Sequence, residues 1–243
     1  MKKKLALILA GTAMAAMVLA GCGEKNNASG EDAKTAESVE DKKTFTVGFD
    51  AEYPPYGYMD ENGEYTGFDL ELAEAVCKLE GWELVKKPIN WDAKDMELNS
   101  GAIDCIWNGF TMNGREYDYT FSTPYVDNSQ VIVVAEKSGI DTLEDLAGKT
   151  VGVQAASAAL DLLQSEEEGG QKKLVDTFGA LNEFADYNTA FTELQAGALD
   201  ALAIDVGVAN YQIKSRGEGY KILDETLNTE QYAIGFKKGN HIR

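Results

Sequence analysis

One eight-residue pattern occurs twice, and it constrains the fold more than any other feature of the sequence. Residues 97–104 read ELNSGAID, and residues 193–200 read ELQAGALD. In each copy a helical stretch is followed by a glycine, which can adopt the left-handed conformation that caps a helix, and then by a short apolar strand. The copies are about 100 residues apart, too far for a solenoid repeat. The pattern predicts two similar α/β lobes. Chance similarity is the alternative, because such units are common.

Strand and helix patterns alternate along the rest of the chain. Strands are predicted where short segments are apolar or alternate in polarity, and helices where apolar residues recur at three- and four-residue spacing. The predicted strands include 45–49, 103–107, 130–135 and 150–153, and predicted helices begin at Asp69 and Ser157. Strands separated by helices form largely parallel sheets. We therefore predict an α/β fold of two similar lobes with mostly parallel sheets and a ligand cleft between them.

The N-terminal residues have the pattern of an export signal. Three lysines at positions 2–4 precede an apolar stretch over 5–20, which is too short for an ordinary transmembrane anchor. The closing sequence LAGC at 19–22 resembles the lipobox of bacterial lipoproteins, in which the cysteine becomes the first residue and carries lipid. We predict a signal peptide over 1–21 and lipid anchoring to the cell membrane through Cys22. An ordinary secretory signal with a chance cysteine is the alternative.

The mature chain is strongly acidic. Removal of the signal takes away three lysines and no acidic residue, so the formal charge changes from −19 to −22. Nucleic acid and anionic lipid would be repelled, and we expect neither as a partner. Residues 22–43 are small and polar, and they predict a flexible tether between the lipid and the folded domain.

Cysteine and histidine usage excludes several kinds of site. His241 is the single histidine, which excludes His-dependent catalytic triads and multi-His metal sites. No cysteine pair has the spacing of zinc ligands, so we expect no metal and no cofactor. Cys77 and Cys105 could form a disulfide outside the cell, although buried free thiols are favoured because spacing alone does not show proximity.

Seven short motifs together resemble one family. In chain order they are YPPY (53–56), GFD (67–69), SGAID (100–104), FSTPY (121–125), GVQ (152–154), ALAID (201–205) and YAIGF (232–236). Their order is similar to that in the solute-binding proteins of polar amino-acid ABC transporters, which have the type II periplasmic-binding-protein fold. The resemblance implies a monomeric binding protein, not an enzyme, that takes a free amino acid and delivers it to the transporter's permease subunits.

A free amino acid needs a partner for its carboxylate, an acid for its ammonium and a shaped pocket for its side chain. In the family the loop after the 103–107 strand supplies a backbone carbonyl, a threonine hydroxyl and an arginine. The resemblance assigns these roles to Gly109, Thr111 and Arg115. The spacing between the threonine and the arginine is one residue shorter here than is usual, and an ordinary surface arginine is the alternative.

The second lobe is expected to supply two polar groups. Ser157 opens a predicted helix, where its hydroxyl and the free N–H groups could hold an anion, or where it could simply cap the helix. The family commonly has glycine just before this serine, and this chain has Ala156. Asp205 matches the family's ammonium-binding aspartate. It could also cap the helix that begins at Val206.

Four further residues are expected around the ligand's side chain. The resemblance places Tyr53 and Trp91 as walls of the pocket, although Trp91 could equally be a core residue. Asp50 and Gln154 correspond to positions that contact the side chain in some members, and this end of the pocket varies with the substrate.

The resemblance also divides the chain into segments. We expect lobe 1 at 44–129, lobe 2 at 130–231 and a return to lobe 1 at 232–243, with two hinge strands near 128–131 and 232–234. Family members continue with a final helix, so we expect this chain to be a fragment. Two alternatives remain: cyclohexadienyl dehydratases resemble this fold, and the same module forms the extracellular part of some receptors.

Overall fold

The computed structural model describes residues 43–217 and 219–240. The predictions for the signal peptide, Cys22, nearly all of the tether and His241 fall outside the described residues. Within the described part of the chain, no helix has both the length and the apolar character needed to cross a membrane.

Fourteen strands occur in the described residues. In chain order they are β1 (Thr44–Phe49), β2 (Glu52–Tyr53), β3 (Gly57–Met59), β4 (Tyr65–Thr66), β5 (Glu83–Pro88), β6 (Cys105–Ile106), β7 (Tyr119–Phe121), β8 (Val126–Ala135), β9 (Thr150–Gln154), β10 (Ala180–Phe184), β11 (Ala201–Asp205), β12 (Tyr220–Ile222), β13 (Asn228–Tyr232) and β14 (Gly235–Lys237).

The helices of the described residues connect these strands. They are α1 (Phe68–Glu80), α2 (Lys94–Ser100), α3 (Ala158–Gln164), α4 (Lys172–Val175), α5 (Tyr187–Ala196) and α6 (Val206–Arg216), with short 3-10 helices at Trp91–Ala93 and Glu144–Leu146.

Two main sheets form the centres of two lobes. The first has the order β5-β1-β6-β14-β7, and the second has the order β10-β9-β11-β8-β12, with β13 also pairing with β8. In each lobe the strands joined through helices pair in parallel, β1 with β5 and β6, and β9 with β10 and β11. A small antiparallel sheet of β2, β3 and β4 belongs to the first lobe. The predicted two-lobed α/β fold is confirmed.

The antiparallel pairs occur where the chain passes between the lobes. β8 enters the second lobe and runs antiparallel to β11, β12 and β13, and β14 returns to the first sheet antiparallel to β6 and β7. Both sheets are therefore mixed, whereas helix-linked strands alone would give parallel pairing. The sequence pattern predicted the parallel strands in each sheet. It did not show that the strands that connect the lobes run in the opposite direction.

The repeated eight-residue pattern forms the same unit in both lobes. α2 and α5 each end at a left-handed glycine, Gly101 with φ 77° and Gly197 with φ 76°. The last residue of each copy then binds the neighbouring strand: the Thr46 amide donates to the Asp104 carboxylate at 2.7 Å, and the Thr150 amide donates to Asp200 at 2.8 Å. Matching caps and matching carboxylate contacts show that the two lobes share one local design.

Several predicted boundaries shift by a few residues. The strand expected at 103–107 is only Cys105–Ile106, because the amides before it still bond the end of α2. The strand expected at 130–135 extends over Val126–Ala135, since its first half pairs with β13. The helix expected to begin at Asp69 begins at Phe68.

Aromatic side chains join the two lobes where they meet. Tyr53 of the first lobe packs against Tyr187 of α5 with ring centroids 6.0 Å apart, and Tyr56 packs against Tyr232 of β13 at 5.3 Å. All four rings are buried in one apolar cluster with residues of the second sheet. The lobes are therefore in contact, as in a closed cleft. Cys77 and Cys105 are buried and unpaired in the first lobe.

Candidate functional site

A small cavity lies between the lobes, with a volume of about 10 Å³ that holds roughly one water molecule. This is far below the ~300–1,000 Å³ of small-molecule sites, so the lobes must open to admit a ligand. Both lobes contribute to its wall. It is lined by Tyr53, Trp91, Asn108, Gly109, Thr111, Arg115, Gln154, Ser157, Ala158 and Asp205. Eight of the nine ligand-binding residues predicted from the sequence are therefore brought together, and Asp50 is the ninth.

Gly109 begins the loop that follows β6 and approaches other groups closely. Its φ is 56°, and a Cβ atom there would lie 2.9 Å from Cε1 of Tyr53, so a side chain would be both strained and obstructed. The Gly109 amide donates to a carboxylate oxygen of Asp69 at 2.5 Å. Burial raises the pKa of Asp69 to about 7, and this amide opposes the rise.

The rest of the loop is attached to the strand that returns from the second lobe. The Met112 amide donates to the Gln231 carbonyl at 2.9 Å, and the Ala233 amide donates to the Phe110 carbonyl at 3.0 Å. Thr111 lies between these bonds and forms an isolated bridge with Tyr232. The loop that carries Thr111 and Arg115 is therefore fixed to β13.

Arg115 reaches the cavity despite its shortened spacing from Thr111. Its guanidinium lies 5.1 Å from the ring centre of Phe110 and pairs with the Asp161 carboxylate of α3 at 2.6 Å. The Arg115 side chain is 12% exposed and that of Asp161 is 64% exposed. Arg115 is thus mostly buried at the rim rather than an ordinary surface arginine, and its salt bridge joins the two lobes.

Ser157 combines the two roles considered for it. Its hydroxyl accepts from the Leu160 amide at 3.1 Å, which makes it the N-cap of α3, and donates to the Gln154 carbonyl at 2.7 Å. It also lines the cavity. The preceding Ala156 has φ 54°, a conformation that costs an L-residue about 1–2 kcal/mol and glycine almost nothing. A glycine, which the resemblance implies at this position, would adopt the same conformation without this strain.

Asp205 occupies the N-cap position of α6 but does not cap it with its side chain. Its Oδ1 instead accepts hydrogen bonds from Asn128 at 2.8 Å, Gln130 at 2.7 Å and the Tyr232 hydroxyl at 2.6 Å. Burial and, to a smaller extent, the negative charge of Glu230 together raise the pKa of Asp205 to about 6. The carboxylate lines the cavity, and all three of these donors are neutral.

Asp50 lies behind the cavity wall rather than on it. Its carboxylate accepts from Nε2 of Gln154 at 2.7 Å and from the Glu52 amide at 2.8 Å. It lines an adjoining cleft of acidic character together with Glu52 and Asp186. Burial raises the pKa of Asp50 to about 6, since its hydrogen bonds only partly compensate for lost hydration. Gln154 therefore separates Asp50 from the central cavity.

The two aromatic wall residues also belong to the packed interior. Trp91 is 9% exposed and packs edge-to-face on Phe110 with centroids 5.8 Å apart, while it lines the cavity. The Tyr53 hydroxyl lies 3.4 Å from the Tyr232 hydroxyl. For Trp91, the core role and the wall role expected from the sequence occur together.

Four polar residues at the site were not predicted. Asn108 lines the cavity, holds the Asp50 amide through its Oδ1 at 2.9 Å, and its buried Nδ2 has no partner among the described residues. Its position beside Gly109 at the end of a buried strand could have indicated it. Asn128, Gln130 and Glu230 form the surroundings of Asp205, and no local motif distinguishes them.

The chemistry of the cavity suits a ligand with both charges. Arg115 presents a guanidinium whose carboxylate partner is largely exposed, and Asp205 presents a buried carboxylate whose direct partners are uncharged. The two charges do not pair with each other. A molecule that carries a carboxylate and an ammonium a short distance apart would complement both.

Comparison with known proteins places the chain in a family. Residues 45–241 match the family described as bacterial extracellular solute-binding proteins, family 3. The chain belongs to this family. The resemblance stated from the seven motifs is confirmed, and the family description agrees with a location outside the cytoplasm.

Curated relatives of this family-3 protein are binding proteins. The L-cystine-binding protein TcyJ of Escherichia coli (strain K12) is 30% identical, covering 93% of this chain and 82% of the relative. The arginine-binding extracellular protein ArtP of Bacillus subtilis (strain 168) is 32% identical, covering 100% of this chain and 89% of the relative. These relatives favour binding and transport over the dehydratase alternative.

Solved structures agree with the fold of this family-3 protein. A substrate-binding protein of an ABC uptake transporter from Streptococcus pneumoniae, with bound histidine, has a TM-score of 0.75 and 36% identity over 80% of each chain. An ancestral arginine-binding protein bound to glutamine has a TM-score of 0.72 and 38% identity over 82% of this chain and 86% of that chain. Both support the two-lobed arrangement.

Proposed function

We propose that this protein binds a free amino acid outside the cytoplasm and delivers it to the permease subunits of an ABC importer. The observation that carries the proposal is the cavity between the lobes, where Arg115 and Asp205 present opposite charges without pairing with each other. The protein acts as a monomer and a carrier rather than an enzyme. Relatives that bind cystine or arginine support this role.

The ligand's backbone is held by both lobes. Its carboxylate binds the Arg115 guanidinium and the N-terminal end of α3 at Ser157. Its ammonium binds the Asp205 carboxylate and the Gly109 carbonyl. The ammonium also donates to the Thr111 hydroxyl oxygen, whose own hydrogen is donated to Glu230. This assignment is supported by the position of all five ligand-binding residues around the same cavity, three from the first lobe and two from the second.

The ligand's side chain extends past the aromatic wall. With the backbone held by the groups above, the remaining wall residues are Tyr53, Trp91, Asn108, Gln154 and Ala158. The adjoining cleft shares Trp91 with the cavity and contains Asp50. Asp50 contacts the side chain once Gln154 moves from their 2.7 Å hydrogen bond.

Cleft closure couples binding to delivery. Three contacts join the lobes around the cavity: the Arg115–Asp161 salt bridge, the Gln154–Asp50 hydrogen bond, and a 3.0 Å bond from Lys94 Nζ to the Ala156 carbonyl. A ligand that bridges the lobes adds to these contacts and shifts the population toward the closed state. The closed form then docks on the permease.

Thermal unfolding with added amino acids tests the function. The protein without its signal peptide and Cys22, called the soluble domain below, is unfolded by heating in the presence of L-arginine, L-histidine, L-cystine, L-glutamine or another common amino acid. A ligand at 100 times its Kd stabilises by about 2.7 kcal/mol, which corresponds to a rise of roughly 5–10 °C in Tm. We expect one or two of these to give such a rise, and their amides and α-hydroxy analogues to give none. A folded protein that no amino acid stabilises contradicts the proposal.

Lipid on Cys22 anchors the protein to the membrane surface. The LAGC sequence at the end of the export signal supports this assignment. In a bacterial host that processes lipoproteins, the unaltered protein is expected in the membrane fraction. The Cys22→Ser protein is expected in the soluble extracytoplasmic fraction, because serine cannot form the thioether. Equal partition of both proteins into the membrane rules out the anchor.

A further inference from the structure

Glu230 is a buried carboxylate that the ligand-binding assignment does not use. It lies on β13 and is 5% exposed. Its Oε1 accepts three hydrogen bonds, from the Thr111 hydroxyl at 2.7 Å, Asn128 Nδ2 at 2.8 Å and Gln130 Nε2 at 2.8 Å. Thr111 belongs to the ligand loop of the first lobe, and the two amides belong to β8. One carboxylate oxygen of a β13 residue therefore binds both the loop that carries Thr111 and strand β8.

The same two amides also bind Asp205. Asn128 Nδ2 lies 2.8 Å from Asp205 Oδ1, and Gln130 Nε2 lies 2.7 Å from it. Two carboxylate oxygens and two amide nitrogens thus form a closed ring. The amide oxygens of Asn128 and Gln130 are buried and have no hydrogen-bond partner among the described residues. Each side-chain amide therefore donates hydrogen bonds to both Asp205 and Glu230, while its own oxygen accepts none from the described residues.

We propose that Glu230 is a positioning residue of the ligand site. It fixes the positions of the Thr111 hydroxyl and the Asp205 carboxylate, and its negative charge makes binding of the ligand's ammonium dependent on pH. The proposal rests on the proposed function for its effect on binding. Glu230 does not line the central cavity, so it acts through Thr111 and through the shared amides.

The charges around Asp205 support the electrostatic part. The titratable groups facing it are Glu230 and the hydroxyls of Tyr53, Tyr56, Tyr187 and Tyr232. Burial raises the pKa of each tyrosine, so all four stay neutral near pH 7. Arg115, the cation on the cavity wall, is paired with Asp161. Glu230 is therefore the charged neighbour that opposes ionisation of Asp205.

The sign of the pH effect follows directly. The pKa of Asp205 is about 6. The ligand's ammonium requires the ionised carboxylate, so affinity falls as the pH drops through 6. Without the charge of Glu230, the pKa of Asp205 moves toward its ordinary value of ~3.9. The loss of affinity then occurs at lower pH.

The first test needs no ligand. The carboxyl carbon of Asp205 is titrated by NMR in the unaltered protein, in Glu230→Gln and in Glu80→Gln, whose exposed carboxylate lies at the end of α1. We expect a midpoint near 6 in the unaltered protein and in Glu80→Gln. In Glu230→Gln the midpoint is expected at least half a pH unit lower. An unchanged midpoint overturns the electrostatic role, whether or not the protein binds amino acids.

The second test uses whichever of L-arginine, L-histidine, L-cystine or L-glutamine stabilises the unaltered protein most. By calorimetry we expect Glu230→Gln to bind it about tenfold more weakly at pH 7.5, since charged hydrogen bonds to Thr111 and the amides become neutral. The ratio of the two Kd values is expected to shrink toward one at pH 5. A ratio that stays constant with pH shows a purely structural role and overturns the proposal.

A third variant keeps the proposal testable if Glu230→Gln does not fold. Glu230→Asp retains the charge but is too short to reach the Thr111 hydroxyl and both amides together. We expect its Asp205 midpoint to stay near 6 while its affinity falls severalfold. A midpoint that drops in this variant contradicts the charge assignment. If none of the four amino acids binds the unaltered protein, the proposed function fails while the NMR result still decides the role of Glu230.

Discussion

Replacement of Arg115 by alanine is expected to weaken amino-acid binding by 2–5 kcal/mol, a factor of roughly 30 to 5,000 in Kd. The change removes the guanidinium that faces the cavity and leaves the ligand's carboxylate desolvated without a charged partner. The Asp161 carboxylate also loses its 2.6 Å partner, but it is 64% exposed and regains water. Isothermal titration calorimetry on the soluble domain measures the loss.

Two variants separate the role of Arg115 from general effects. Arg216→Ala removes a guanidinium that lies 5.1 Å from the ring centre of Phe191, similar to the 5.1 Å between Arg115 and Phe110, but away from the cavity wall. Its ligand affinity is expected to stay within threefold of the original. Asp161→Ala breaks the salt bridge alone, and the pair is expected to contribute only about 0–1 kcal/mol, because the Asp161 carboxylate is 64% exposed and screened by water. If Arg115→Ala binds as tightly as Arg216→Ala, the carboxylate assignment is wrong.

Local sequence signals were enough to predict the lobes, whereas most of the cavity wall was predicted from the resemblance to the family. The helix–glycine–strand unit requires only near neighbours, so its two copies fold alike and were visible as a repeat. The predicted wall residues follow buried strands or open helices, positions that face the edge of an α/β sheet. Gly109 and Ser157 are examples, since one follows β6 and the other caps α3.

The residues that hold the cavity wall in position do so through long-range contacts, which local sequence patterns do not encode. Glu230 bonds Thr111 across 119 residues of sequence and Asn128 across 102. Asp50 meets Gln154 across 104 residues, which places Asp50 behind the wall instead of on it. Such pairs are set by how the two lobes close and by which direction the crossing strands run. A single sequence contains no periodic signal for either.

Replacement of Asp205 by asparagine is expected to affect binding and stability in opposite directions. The side chain keeps its shape, and its oxygen can still accept from Asn128, Gln130 and Tyr232. Binding should weaken by about 2–5 kcal/mol, because the ligand's ammonium loses its buried counter-charge. The ligand-free protein should melt a few degrees higher, because the variant no longer holds a carboxylate whose pKa burial has raised to about 6.

The pH dependence of the melting temperature identifies the cause. A carboxyl whose folded pKa is above its unfolded value stabilises the fold when it takes up a proton, so ligand-free stability rises as the pH falls. Asp50, Asp69 and Asp205 have folded pKa values of about 6, about 7 and about 6. The unaltered protein should therefore gain stability as the pH falls from 7.5 to 5. In Asp205→Asn this gain should be smaller by about the contribution of one of the three carboxyl groups.

A matched aspartate in the same lobe provides the control. Asp200 ends the second copy of the repeated unit and accepts from the Thr150 amide at 2.8 Å, outside the wall of the cavity. Asp200→Asn is expected to keep both the affinity and the pH dependence of the unaltered protein. Calorimetry and thermal melts of the two variants decide between the explanations. If Asp205→Asn lowers the ligand-free melting temperature, the buried charge stabilises the fold, and Asp205 is a structural residue rather than a binding group kept at a cost in stability.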